Sequence, residues 1–379
     1  MNTIVKPKLQ HHLLVNNMIT KEQVLKALST VQEPDLKKDL VTLNMIKDIE
    51  VSGHNIKFTV LLTTPACPMK DKIEQDCMEA ITSKVDAQAV INITMEANVL
   101  TLRSDKVVLP GVKNIIAVVS GKGGVGKSTV ASNLALALSE LGAKVGLLDA
   151  DIYGPSMPIM FGIHETPEMK VVDGKNIMIP VERHHIKLMS IGFMIEPNQA
   201  VVWRGPMVSS ALRQFINETD WGELDYLVLD MPPGTGDIHL TMGQIIPVTG
   251  FVLVTTPQDV AVADALKAAV MFDMLPNKIP MLGVVENMSW FTPAELPNNK
   301  YYIFGEGGGE KIAKQFNTNI LGQIPLVAGI REGADKGMPA VLDDQNPAKP
   351  LFLQVAQRVA QQLAIINTIE NTQQSNSTN

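Results

Sequence analysis

Ser120-Gly121-Lys122-Gly123-Gly124-Val125-Gly126-Lys127-Ser128-Thr129 matches, over residues 121–128, the phosphate-binding pattern G-x-x-x-x-G-K-S/T at every fixed position. The apolar run Ile115–Val119 leads in as a buried strand would, and Ala131, Leu134, Ala135, Leu138 and Leu141 follow at helical spacing. A Gly-rich turn with a chance lysine would not bring that strand and helix with it. The glycines let backbone N–H groups approach an anion with no Cβ in the way, and the helix aims its positive N-terminus at the same charge. Lys127 is placed to reach the outer phosphates of a nucleotide, and the Ser128 hydroxyl to ligate Mg²⁺.

Working outward, apolar runs alternate with helical stretches at Ile115–Val119, Lys144–Leu148, Tyr226–Leu229, Phe251–Thr255, Met281–Val285 and Ile320–Ile324. This alternation predicts an α/β nucleotide-binding domain over residues 106–366, a mostly parallel sheet with helices on both faces. Ligands of such sheets sit beyond the carboxyl ends of the strands. Asp149-Ala150-Asp151 follows the second run and Asp230-Met231-Pro232-Pro233-Gly234-Thr235-Gly236-Asp237 the third. Alone, either cluster would read as a solvated turn. Behind a phosphate loop they read as carboxylates that manage Mg²⁺ and water. Asn287, after the fifth run, is a candidate to hydrogen-bond a nucleotide base. Gly305–Glu310 lacks the Gly-Lys-Ser ending and reads as a turn and helix start, and His184-His185 as a surface hairpin turn.

Residues 1–105 read as a small α+β domain: a helix capped by Thr20 with Gln23, strands at 43–51, 56–62 and 89–99, and a helix ending near Lys84. A linker is expected over Leu102–Gly111 and a disordered polar tail over 367–379. Cys67, in Thr64-Pro65-Ala66-Cys67-Pro68, stands where a helix N-terminus would favour thiolate, so metal-ligating and inert readings are both open. Cys77 is expected on the same helix, about 15 Å along it, as a core residue.

Two cysteines in 379 residues make no disulfide framework. A net charge of −7 argues against a nucleic-acid partner. No apolar run approaches the ~20 residues of a membrane span, and Met1–Lys6 lacks a secretory core, so a cytoplasmic protein with no membrane partner is expected. The last apolar pattern, Leu351 to Ile366, carries few basic residues and reads as a packed helix rather than a membrane binder.

With its second lysine at Lys122, the loop resembles the deviant phosphate loop of the dimeric MinD/ParA-type ATPases. Within that group the chain is identified as a member of the Mrp/ApbC type of iron–sulfur cluster carrier, with a MIP18-like domain in front. Asp149–Ser156, Asp230–Asp237, Glu286–Ser289 and Thr64–Pro68 carry the resemblance. It implies a homodimer closing over ATP, with Gly121, Lys122, Gly123, Gly124, Val125, Gly126, Lys127, Ser128 and Thr129 around the nucleotide. In it Lys122 crosses to the partner's nucleotide, Asp151 places water, and Asp149 and Asp230 serve magnesium with Ser128. It also implies a 4Fe–4S cargo, delivered to apo client proteins and received from cluster scaffold proteins.

One departure stands out. The resemblance leads one to expect Cys-x-x-Cys between Ser289 and Phe304, yet residues 290–303 hold neither cysteine nor histidine. Clusters are held chiefly by thiolates, so Cys67 and Cys77 are the only thiols the chain offers. A nucleotide-switched positioning ATPase without a cluster is the alternative, and a kinase for a small acceptor a more distant one.

Overall fold

The computed structural model describes residues 19–101, 108–194, 205–236, 239, 242, 243, 245–275 and 278–377. Asp237 and most of the expected linker lie outside these residues. The chain forms two compact units, one of residues 1–61 and 69–96, the other of residues 62–68 and 97–379.

The first unit contains α1 (Lys21–Leu28), the short pair β1 (Gln32–Glu33) and β2 (Lys38–Asp39), then β3 (Ile46–Ser52), β4 (Asn55–Leu62), α2 (Lys70–Lys84) and β5 (Val90–Ala97). Thr20 and Gln23 close the expected capping box. The strands form a sheet in the order β3-β4-β5. Val24 and Leu28 of α1, Ile56, Phe58 and Val60 of β4, and Ile73, Cys77 and Ile81 of α2 are fully buried. Burial pushes the Cys77 thiol up to about 12, so it stays protonated as a core residue. The shared helix expected for the cysteines does not form: α2 starts at Lys70, and Cys67 lies in the 62–68 stretch of the second unit.

In the second unit, β6 (Val112–Val119), α3 (Lys127–Glu140), β7 (Val145–Asp149) and α4 (Met157–Met160) come first. The hairpins β8 (Met169–Val172)–β9 (Lys175–Met178) and β10 (Val181–Arg183)–β11 (Ile186–Ser190) follow, the second turning at His184 and His185 as expected. Next are α5 (Gly205–Asn217), β12 (Leu224–Asp230), β13 (Gly250–Thr255), α6 (Asp259–Asp273), β14 (Met281–Phe291), α7 (Gly308–Gln315), β15 (Ile320–Leu326), α8 (Ala328–Asp335) and α9 (Lys349–Ser377).

The eight-stranded sheet runs β10-β11-β7-β12-β6-β13-β14-β15, and every pairing except β10–β11 is parallel. Alternation along β6 divides the core in two. Ile116 and Val118 join Leu134 and Leu138 of α3 and Phe352, Val355 and Val359 of α9. Ile115, Ala117 and Val119 face the opposite way, with Leu212 of α5 and Ala265 and Phe272 of α6. β6 lies between β12 and β13, so the chain leaves it to opposite sides of the sheet. A crevice at its carboxyl end follows, where the Gly-rich loop begins.

The polar tail expected from residue 367 does not begin there. α9 continues to Ser377, and Asn367 is buried, donating to Leu100 O at 2.9 Å and to Asn114 Oδ1 at 3.0 Å. Composition misled because one asparagine in an Asn/Gln/Ser-rich run is paired to β6. We expect Asn367→Ala to cost about 1–3 kcal/mol in urea unfolding, the penalty of stranding a buried acceptor. A disordered residue would cost nothing.

Candidate functional site

The loop 120–129 takes the form its glycines permit. Gly124 and Gly126 both have φ of +84°, and no atom lies within 4 Å of where a Cβ on Gly123 or Gly124 would stand. α3 begins at Lys127 with no side-chain cap and no acidic residue in its first turn, so its leading N–H groups and positive end face the loop. Ser120 Oγ donates to Lys122 O, and Gly234 N to Ser120 O at 2.9 Å, which ties the loop to the stretch after β12. Lys122 is exposed.

Lys127 points away from solvent. Its Nζ lies 2.5 Å from Asp230 Oδ1 and 3.6 Å from Asp151 Oδ2, with only 6% of the side chain exposed. The other oxygen, Asp230 Oδ2, is buried without a hydrogen-bond partner among the described residues. Burial raises the Asp230 carboxyl above the usual carboxylate range, against the pull of Lys127. This is half of a cation site, a carboxylate oxygen beside the Ser128 hydroxyl, and it suits magnesium. Among the described residues no three His, Cys, Asp or Glu side chains converge on a metal position.

Asp149, expected as a further magnesium ligand, is otherwise engaged. Its register partners are Asp230 on β12 and Ser190 on β11. Oδ2 accepts from Ser190 Oγ at 2.9 Å, Ser156 N at 3.1 Å and Met157 N at 3.2 Å, and Oδ1 from Asp151 N at 3.2 Å. Burial and the Asp230 charge push its carboxyl up to about 7. In this geometry Asp149 shapes the turn that presents Asp151, with Oδ2 crowded by three donors and Oδ1 taken by one.

Asn287 meets the phosphate loop. It is buried, and its Nδ2 donates to Val125 O at 2.9 Å. Glu286 accepts from Gly309 N at 2.7 Å and Gln323 Nε2 at 3.0 Å, anchoring the Gly-rich start of α7. His239 escaped the sequence reading. It is buried, with Nε2–H donating to Pro232 O at 2.8 Å, and burial lowers its pKa. A histidine nine residues beyond Asp230 was the only available signal.

The two cysteines do not share an element. Cys67 is half-buried, behind Ala66 in the core. The Thr64 and Tyr226 hydroxyls meet at 3.0 Å, which fastens this stretch to β12. Residues 290–303 form a cysteine-free hairpin instead of a thiolate pair. Phe291 and Tyr301 exchange both backbone bonds at 2.8 Å, and Lys300 Nζ sits 3.9 Å from the Trp290 ring centre. Leu296, Tyr301, Tyr302 and Ile303 are exposed on it.

With this geometry established, comparisons place the chain among known proteins. Residues 111–360 match the ParA model described as NUBPL iron-transfer P-loop NTPase. The chain belongs to that family. Residues 21–95 match a second model, described as iron–sulfur cluster assembly protein. An iron–sulfur cluster carrier protein of Synechocystis is 46% identical over 92% of this chain and 98% of its own length. One from Escherichia coli K12 is 45% identical over 89% of this chain and 90% of its own. Among solved structures, a nucleotide-binding protein from Archaeoglobus fulgidus in complex with ADP has 37% identity and a TM-score of 0.53. It covers 63% of this chain and 91% of its own. The MinD/ParA-like P-loop fold expected from the sequence is thus found, and no described helix is long and apolar enough to cross a membrane.

The Lys127–Asp230 pair gives a direct test. Asp230→Ala leaves a buried ammonium with one distant carboxylate and should destabilise the nucleotide-free protein by about 3–5 kcal/mol. Lys127→Met with Asp230→Ala should recover much of that loss in a double-mutant cycle read by urea unfolding.

Proposed function

We propose that the chain is a cytoplasmic, homodimeric, Mg²⁺-dependent ATPase that binds an iron–sulfur cluster as cargo and transfers it to apo client proteins. The observation that carries this reading is a phosphate loop whose lysine is stored on a buried aspartate. Its support in kinship is the carrier name borne by relatives about 45% identical over most of the chain.

The chain's own groups divide the work. Backbone N–H groups of residues 123–128 cradle the phosphates, and the N-terminus of α3 adds its dipole. Lys127 exchanges Asp230 for the outer phosphate oxygens, a charge-for-charge swap that spares an uncompensated buried ion. Ser128 and Asp230 would hold Mg²⁺, which when bound supplies neutralisation of phosphate charge. Asp151, presented by the Asp149 turn, orients the attacking water. Lys122 reaches the partner's nucleotide. Pro232–Gly236, tied to the loop through Gly234 and to His239 through Pro232, changes shape with the state of the γ-phosphate. Lys127→Ala should reduce ATP hydrolysis to background in a phosphate-release assay, while unchanged turnover would exclude this site.

Cargo binding falls to Cys67, since Cys77 is a buried, protonated core thiol. In a dimer, two Cys67 residues supply two thiolates. Anaerobic reconstitution with iron and sulfide should yield a cluster in wild type and Cys77→Ser, and none in Cys67→Ser, by iron and sulfide counts per dimer. A cluster-free protein with intact ATPase activity would favour the second reading, a nucleotide-switched positioning ATPase. The cysteine-free hairpin at 290–303 is the observation on that reading's side.

A further inference from the structure

We propose that Asn287 is a positioning residue of the phosphate site, holding the Val125–Gly126 peptide so that its N–H faces the anion. The inference rests on the nucleotide reading above and adds a residue to it.

The argument begins with one peptide plane. In a trans peptide the carbonyl and the following N–H point in opposite directions. The Asn287 amide takes the Val125 carbonyl at 2.9 Å on the β14 side of the loop. The N–H of Gly126 is thereby turned the other way, toward the concave side, where phosphate oxygens would lie. Were the carbonyl to rotate inward, its partial negative charge would meet the anion and the cradle would lose a donor.

The neighbouring residues are built around that contact. A Cβ on Gly126 would stand 2.1 Å from Asn287 Nδ2, and the +84° φ of Gly126 disfavours a side chain in any case. Glycine is thus required at 126 by both the backbone and the approach of the amide. β14 is specialised at the same place. Its pairing with β15 shifts register between Asn287 and Phe291, and Met288 adopts a φ of +55°. From behind, Glu286 is fixed through Gly309 and Gln323, and Ser289 Oγ donates to Glu286 O at 2.8 Å. A strand that accepts an uncommon backbone conformation to hold one amide against a loop carbonyl is organised for the loop. The amide keeps a second N–H and its Oδ1, so a contact to the base is decided by the ATP-to-GTP ratio and not by this bond.

The test separates phosphate from base. Full-length wild type, Asn287→Leu and Asn287→Ser compete ATP, GTP and inorganic tripolyphosphate against a fluorescent nucleotide, with melting temperatures recorded without ligand. Leucine keeps the size, adds no charge and loses the donor; serine removes the bulk and guards against a folding failure of the first variant. We expect both variants to weaken all three ligands alike, by about tenfold, with the ATP-to-GTP ratio unchanged. Tripolyphosphate affinity equal to wild type in both variants overturns the proposal, whether the ATP-to-GTP ratio moves, as a base reader requires, or only the melting temperature falls, as a structural residue requires. Wild type that takes none of the three probes overturns the nucleotide reading itself, and this inference with it.

Discussion

A lysine ammonium buried against an aspartate is the constraint on which the rest of the nucleotide unit depends. Lys127 opens α3 and Asp230 closes β12, so their contact joins the helix that would bind phosphate to the strand beside it. Neither group tolerates burial alone, and Asp230 retains one oxygen with no partner among the described residues. The pair is therefore compensated only in part. On the function proposed above, a polyanion would offer the lysine a second counter-charge and leave the carboxylate for a cation. Stability and readiness to bind would then be two aspects of one pair.

Sheet register brings the remaining groups to that pair. Asp149 is opposite Asp230 on β7 and Ser190 opposite Asp149 on β11, all at carboxyl ends of parallel strands. Burial first, and then the charge of Asp230 beside it, drive the Asp149 carboxyl upward, and four donors surround it. Those donors include the backbone of residues 151, 156 and 157, so the cost of burying Asp149 is offset by the very contacts that shape the Asp151 turn. The Asp-x-Asp spacing thereby divides labour: one carboxylate is consumed in making the turn, the other is presented by it.

The sequence carried the fold because its signals were local and periodic. A β-strand between two helical layers must be apolar on both faces, and the six runs stand out for that reason. The phosphate loop is legible because glycine and lysine are required at fixed spacing within one turn. What stayed hidden depended on partners distant in the chain. Asn287 is 162 residues from the carbonyl it holds, and nothing in its neighbourhood distinguishes a base reader from a loop anchor. Asp149 looked like a metal ligand because spacing names the strand end but not which donors fill the space around it. Asn367 sat in a composition typical of disorder, and only its pairing to Asn114 on β6 places it in the core.

The hairpin at 290–303 separates cargo from nucleotide in physical terms. A loop closed by a metal–thiolate centre depends on the metal for its shape. Here the same interval is closed by paired backbone bonds between Phe291 and Tyr301 and by Lys300 over Trp290. Its form therefore needs no ion, and loss of a cluster would leave it standing. β14, which ends in that hairpin, also holds Asn287 on the phosphate loop and Glu286 on the start of α7. β14 thus links the phosphate loop to an exposed apolar surface through a short run of hydrogen bonds. On the function proposed above, the phosphate loop and Cys67 lie on different elements, so a substitution at either would leave the contacts of the other in place.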